Sequence, residues 1–235
     1  VIAGYPWITG IRGFHEILNY SFHYGIPTTN YVVIRDLQAF EKLDPTLIEQ
    51  MHVLLRDGYI ELGVHTHYHR YLGKDFAGDE EDLEQSKIYL ERRFNTTVFG
   101  MRGQYLTLVG NNAAMHATTL QKLNYTYFSN LGDFIILNGV ASLGPNFFLV
   151  SDWDVTVLEE MINNNRHVLT LDHPWNLAYK EITVDGEIYL EEDVKRLRHF
   201  RRAVLTSINT GGVFVQAQEL IEYLKKQQKT SSKSL

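Results

Sequence analysis

Residues 60–69 read IELGVHTHYH, a short apolar run followed by three histidines within five positions. The run Ile60–Val64 predicts a buried strand, and in α/β folds active sites form just beyond the carboxyl ends of such strands. Neutral imidazole is a preferred ligand of zinc and similar metals, so His65 and His69 are candidate metal ligands if the chain turns after Val64. If the strand continues instead, alternation places all three imidazoles on one face. A surface cluster of histidines without a function is the remaining interpretation.

The sequence on both sides alternates between short apolar runs and amphipathic helices, which predicts a mainly parallel α/β architecture. Asp44 and Pro45 are typical of a helix start, as N-cap and first helical residue. Strands are expected over residues 1–3, 30–34, 60–64, 98–101, 147–150, 167–171 and 212–215. Helices are expected over residues 14–24, from 44 to about 57, 79–94 (a charged surface helix), 111–123, 191–207 and 217–226. Residues 1–224 are expected to form one domain, followed by a polar tail over 225–235.

Composition excludes several functional classes. The hydrophobic fraction is 44% and the charged fraction 21%, which is ordinary globular usage. A net charge of −6 argues against a nucleic-acid-binding role, and the absence of cysteine excludes disulfides and thiolate metal sites. No run approaches the roughly 20 apolar residues that a membrane span needs. Sequons at Asn19, Asn95 and Asn124 favour a secreted protein weakly.

Three more predicted strands are followed by a charged or titratable side chain. Arg102 follows one predicted strand, Asp152 another and His173 a third. Taken singly, the arginine would be read as surface charge and the aspartate as a helix cap in a turn. Together with the histidines they place four sets of polar groups at the edge where α/β enzymes form their sites.

In this order along the chain, these residues resemble the motifs of polysaccharide deacetylases, the NodB homology domain of carbohydrate esterase family 4. Residues 65–69 match the family's second motif, His-Ser/Thr-x-x-His, in full. Arg102 matches the start of the third motif, although Gln104 stands where a proline is usual. Asp152–Trp153 matches the end of the fourth motif, and Leu171–His173 matches the fifth, Leu-x-His. The similarity covers nearly the whole chain and implies a distorted (β/α) barrel.

The resemblance also implies roles for these residues. In the family, a divalent metal activates a water molecule and polarises the acetamide carbonyl, while a carboxylate accepts the proton of the water and a histidine protonates the leaving amine. By motif, the metal ligands would be His65 and His69. The catalytic acid would be His173, the residue that tunes it Asp152, and the residue that orients the base Arg102. The substrate pocket would be lined by Trp153, Leu171 and Tyr105.

The first motif is where the chain departs from the family. The family has Thr-Phe-Asp-Asp-Gly after its first strand, and the corresponding stretch is expected near Tyr5–Gly10, which holds no acidic residue. The first acidic residue is Glu16. Both the catalytic base and the third metal ligand would therefore be missing, and a catalytic zinc normally has three protein ligands. His67 or Asp75 could replace that ligand, and Trp7 and Ile8 would fill part of the groove with apolar bulk.

These observations predict a chitin-type deacetylase-like protein that has lost most or all N-acetyl hydrolysis. It would bind an N-acetylated glycan or act structurally at a cell wall, as a secreted protein without a resident zinc. An active metal-dependent deacetylase or amidase with a relocated base and third ligand is the alternative. A third interpretation is another metallohydrolase, because His65–His67 also resembles the His-x-His of amidohydrolase-type barrels.

Overall fold

The computed structural model describes residues 6–69, 72–73, 76–103, 111–130, 133–144, 147–148, 155–164, 167–168, 170–171, 179–184, 187–192 and 194–231. Its helices are α1 (Pro6–Tyr24), α2 (Ile34–Leu43), α3 (Pro45–Arg56), α4 (Phe76–Phe94), α5 (Asn111–Lys122), α6 (Val155–Asn163), α7 (Val194–Asn209) and α8 (Ala217–Ser231). Its strands are β1 (Thr28–Val32), β2 (Ile60–Val64), β3 (Gly100–Arg102), β4 (Tyr127–Ser129), β5 (Ile135–Leu137), β6 (Val140–Leu143), β7 (Phe147–Phe148), β8 (Thr170–Leu171), β9 (Tyr179–Val184) and β10 (Glu187–Glu192).

Six strands form the central sheet, in the order β1-β2-β3-β4-β6-β5. All neighbours pair in parallel except β5 and β6, which are antiparallel. β7 and β8 form a parallel pair, and β9 and β10 form an antiparallel hairpin. The predicted α/β fold is confirmed. The described sheet has two edges, β1 and β5, so the closed barrel stays a prediction.

The two faces of the central sheet differ: one packs on the larger apolar core, and the other, called the polar face below, combines polar groups with a smaller apolar cluster. On β2, the side chains of Ile60, Leu62 and Val64 join the larger core, which α1 to α5 cover. Glu61 lies on the opposite face, where α8 contributes Ile221 to a second apolar cluster. Because side chains alternate along a strand, a fully buried strand between two layers can present a carboxylate to one of them.

The start of α3 and the bounds of β2 agree with the sequence prediction. The Asp44 carboxylate accepts a hydrogen bond from the backbone N–H of Thr46 at 3.1 Å, and Pro45 opens α3, as expected. Leu47, Ile48, Met51 and Leu54 are buried on the inner side of α3. β2 has the predicted bounds.

The amino-terminal part differs from the sequence prediction. α1 begins at Pro6 rather than Phe14, so the predicted start of this helix is wrong and the stretch expected at the first-motif position is helical from residue 6. The expected strand over residues 1–3 lies outside the described residues. Ile34 begins α2 instead of ending a strand, because Ile34 and Leu37, three positions apart, both pack into the core.

Further differences concern α4 and the carboxyl-terminal part. α4 is not a plain surface helix, because Asp79, Asp82 and Ser86 on it are buried. Residues 212–215 are not a strand, and Val213 there is 86% exposed. Residues 191–192 belong to β10 rather than to a helix, and α8 continues to Ser231, into the segment expected as a tail. The strands β4, β5, β6, β9 and β10 and the helices α2 and α6 were not predicted.

None of the helices in the described part of the chain is both long enough and apolar enough to cross a membrane.

Candidate functional site

The two histidines of the second motif meet at the carboxyl end of β2. The chain turns there, with Thr66 at a φ of 62° and His69 at a φ of 55°, both in the left-handed region. The imidazole centroids of His65 and His69 are 4.8 Å apart, with ring planes at 66° to each other. The turning chain, rather than a continuing strand, is therefore what brings these two rings together.

The backbone of this turn is fixed by its neighbours. The N–H groups of Ile34 and Arg35, at the start of α2, donate to the carbonyls of Thr66 and His67 at 3.3 and 3.1 Å. From the other side, the N–H of His67 donates to Asp82 Oδ1 at 2.7 Å. Hydrogen bonds to a carboxylate are stronger than those between neutral groups, so α4 clamps the histidine turn.

The tautomer of His65 follows from its partner. Its Nδ1 lies 2.7 Å from the backbone oxygen of Arg102. Because a carbonyl oxygen only accepts, Nδ1 carries the proton, and in the neutral ring Nε2 carries the lone pair. A histidine oriented in this way through one nitrogen presents the other as a ligand or proton acceptor.

His69 is held towards its neutral form. Desolvation by burial lowers the pKa of its imidazole, and the Arg35 charge lowers it further, against an opposing effect of Asp36. Asp36 and Arg35 themselves form an ion pair at 3.4 Å. At neutral pH the His69 ring is thus set up as a neutral imidazole.

Arg102 lies at the end of β3, next to the histidine pair. Its Nε and Nη2 both donate to Ser129 Oγ, at 3.2 and 2.8 Å, and its guanidinium lies 4.7 Å from the centroid of the Tyr31 ring. Burial lowers the pKa of the guanidinium from its ordinary value, although an arginine stays charged in proteins. Among the described residues the partners of Arg102 are a hydroxyl and an aromatic ring, and no carboxylate pairs with it.

A chain of hydroxyl groups runs from this arginine across the polar face of the sheet. The Tyr127 hydroxyl donates to Glu61 Oε1 at 2.7 Å. Tyr127 and Ser129 are also close enough to the Tyr31 hydroxyl to oppose the rise of its pKa.

Glu61 ends this chain beneath the start of α8. Its Oε2 accepts from Thr29 Oγ1 at 3.0 Å and from the backbone N–H of Gln218 at 3.2 Å. Burial raises the pKa of the Glu61 carboxyl, an effect that these hydrogen bonds oppose. Burial also raises the pKa of Tyr31 to about 12, so its hydroxyl stays protonated at neutral pH.

The described donor set does not complete a metal site. No group of three His, Cys, Asp or Glu side chains within the described ranges could hold a metal ion. The His67 ring packs against Tyr68, with centroids 4.4 Å apart. A pair of imidazoles falls short of the three protein ligands typical of catalytic zinc, so the described residues by themselves do not fit such a metal.

The structure thus brings together three of the predicted site residues, His65, His69 and Arg102. The predicted residues Asp152, Trp153, His173 and Tyr105 lie outside the described residues, as does Asp75. The backbone of Leu171 lies in β8.

Sequence reasoning missed four polar residues that shape the site. Glu61 is a charge within an otherwise apolar strand, a pattern that could have pointed to a buried partner. Ser129 follows the strand-end rule applied to the other motifs. Tyr31 and Asp82 carried no such signal, because a tyrosine in a strand and an aspartate on a helix are both ordinary.

Comparisons with known proteins identify the fold. No family model and no curated protein matches the chain. Among solved structures, one similar protein, from Mycobacterium smegmatis, is assigned as a polysaccharide deacetylase. It shares 15% identity with a TM-score of 0.63, over 94% of this chain and 79% of the other. The chain therefore has the α/β fold of the polysaccharide deacetylases, as the motifs predicted.

Three further structures with a similar fold come from two other proteins. A carbohydrate esterase family 4 pseudoenzyme from Bacillus anthracis shares 10% identity with a TM-score of 0.58, and the match covers 90% of this chain and 61% of that one. A mutant of that pseudoenzyme has restored enzymatic activity. The esterase domain of a xylanase from the hindgut metagenome of Trinervitermes trinervoides shares 15% identity with a TM-score of 0.52, over 91% of this chain and 85% of that domain.

Proposed function

We propose that this protein binds an N-acetylated, chitin-type glycan at the carboxyl end of its sheet and hydrolyses it poorly or not at all. The observation that carries the proposal is the environment of Arg102. The resemblance gives this arginine the task of orienting a catalytic carboxylate, but its described partners are Ser129 and the Tyr31 ring. Loss of a general base alone is expected to lower the rate about 10²- to 10⁴-fold.

The fold neighbours support this proposal from two sides. The neighbours include proteins described as a polysaccharide deacetylase and a xylanase esterase domain. Both names refer to polysaccharide substrates, which supports a glycan as the ligand. The neighbours also include a protein described as a pseudoenzyme, so this fold occurs in a protein that has lost its activity. In keeping with the sequence prediction, we place the protein outside the cell, at a cell wall or envelope.

Binding is tested by calorimetry of the full chain with tetra-N-acetylchitotetraose, with and without added zinc. We expect saturable binding that Arg102→Gln weakens and that Arg56→Gln leaves unchanged. Arg56 is a suitable matched control because it is an exposed arginine paired with Asp57 at the end of α3. Absence of binding to chitin-, peptidoglycan- and xylan-type oligosaccharides would overturn the proposal.

A second candidate function is an active metal-dependent deacetylase with a relocated base and third ligand. The observation that favours it is the Nδ1–H of His65, which bonds to the Arg102 carbonyl and thereby orients Nε2 as a potential ligand. This candidate requires that the protein retain metal and release acetate, and that both properties depend on His65 and His69.

A further inference from the structure

We propose that the strand-end site recognises an anionic group, and that the glycan it binds carries carboxylates beside its N-acetyl groups, as alternating uronic acid and N-acetylhexosamine chains do. This inference rests on the proposed glycan-binding function: the ligand is still an N-acetylated glycan, but a chain with carboxylates is expected to bind more tightly than plain chitin.

The first step is the unmet charge of Arg102. Its guanidinium has five N–H groups, and the two hydrogen bonds to Ser129 Oγ engage its Nε and Nη2 nitrogens. A cation removed from water is costly unless an anion or several acceptors offset the loss of hydration. In the described part of the chain no carboxylate does so, and a ligand carboxylate would fit the planar donor pattern of the guanidinium.

The second step is the placement of the two imidazoles. The His65 ring is tied to the Arg102 backbone, and the His69 ring lies 4.8 Å from it, centroid to centroid. Two imidazoles beside a guanidinium bring no negative charge to the site. Among the described residues, the acidic side chains at this turn are Asp36, which is paired with Arg35 at 3.4 Å, and Asp82, which accepts from the His67 N–H at 2.7 Å. Both described carboxylates thus have partners of their own, and neither is paired with Arg102.

The third step is preorganisation. The hydroxyl chain from Ser129 through Tyr31 and Tyr127 ends on Glu61, which is only 6% exposed. Arg102 Nε and Nη2 both donate to the neutral Ser129 oxygen, at 3.2 and 2.8 Å, and the guanidinium lies 4.7 Å from the centroid of the Tyr31 ring. In the described part of the site the arginine is thus fixed by neutral groups, and its positive charge is left for a ligand.

The test compares three oligosaccharides by calorimetry at low salt. They are a hyaluronan tetrasaccharide, the carboxyl methyl ester of the same compound, and tetra-N-acetylchitotetraose. A charge-assisted hydrogen bond leads us to expect that the acidic compound binds about tenfold or more tightly than its ester. Arg102→Lys should reduce this preference, Arg102→Gln should abolish it, and Arg56→Gln should preserve it.

Each outcome decides a different claim. Equal affinity for the acid and its ester overturns the anion site, while binding of the chitotetraose still supports the glycan-binding function. If free glucuronate binds through Arg102 but none of the oligosaccharides does, the anion site stands at that residue, whereas its glycan ligand and the glycan-binding function fail. Thermal unfolding of each variant separates loss of binding from loss of folding, and Arg102→Lys keeps the test decisive if Arg102→Gln does not fold.

Discussion

His65 donates a hydrogen bond from Nδ1 to the backbone oxygen of Arg102 at 2.7 Å, so the second and third motifs are joined directly at the strand ends. β2 and β3 are neighbours in the sheet, with Val64 opposite Met101. His65 in the turn and Arg102 at the strand end are therefore held in a fixed position relative to each other. A change at either is expected to be felt by the other, which makes this pair the centre of the candidate site.

The clamp on the histidine turn is testable at Asp82. Asp82→Ala removes the acceptor of the His67 N–H, and we expect a loss of about 1–3 kcal/mol in the free energy of unfolding. Asp82→Asn keeps one oxygen acceptor and should cost less. Hydrogen exchange at the His67 amide should accelerate in Asp82→Ala, and unchanged exchange there would mean that α4 does not hold the turn.

The polar face of the sheet depends on glycines under aromatic rings. A Cβ atom on Gly63 would lie 2.6 Å from Tyr31 Cδ1, and one on Gly100 would overlap the ring of Tyr127. We expect Gly100→Ala to destabilise the fold by about 1–3 kcal/mol, because the tyrosine must move off Glu61. Chemical denaturation measures this loss.

Gly58→Ala separates steric overlap from backbone strain. Gly58 has a φ of +78°, and a Cβ atom there would meet nothing within 4 Å. Its replacement should cost about 1 kcal/mol through the unfavourable backbone angle alone. If Gly63→Ala and Gly100→Ala cost no more than this, the tyrosines are not packed against the glycines as described.

Glu61 should leave a signature in the pH dependence of stability. Burial raises the pKa of its carboxyl in the folded protein, so the folded state binds the proton more tightly than the unfolded state. The contribution of Glu61 to stability is then largest below the unfolded pKa and falls as the pH rises through the folded pKa. Denaturant unfolding of Glu61→Gln at several pH values between 4 and 8 should lack this fall. The exposed Glu222→Gln should retain it, and a wild type whose stability curve parallels that of Glu61→Gln would contradict the assignment.

The elements that could be predicted from the sequence are those marked by residues close together in the chain. Asp44 and Pro45 marked the start of α3, and the apolar run before His65 marked β2 with its bounds. The buried Asp82 and the hydroxyl chain through Tyr31 could not be predicted in this way. Their roles come from contacts between elements far apart in sequence, such as Tyr127 with Glu61, and no local pattern encodes those partners. The start of α1 was predicted too far along the chain, because its first turn carries no charged residue or helix cap of the usual kind.

Metal retention distinguishes the two candidate functions. After incubation with zinc and dialysis, we expect the wild type to hold far less than one equivalent, because two imidazoles do not make a catalytic zinc site. The double variant His65→Ala/His69→Ala should give the same result as the wild type. One equivalent retained by the wild type and lost by the double variant would show that another ligand has replaced the missing aspartate.

The most direct measurement is acetate release from tetra-N-acetylchitotetraose by the zinc-incubated full chain, in the same samples that are used for binding. The account predicts saturable binding with acetate release at the level of a buffer blank. Repeated turnover by the wild type, abolished in His65→Ala and preserved in Arg56→Gln, would contradict it and identify the protein as a working deacetylase.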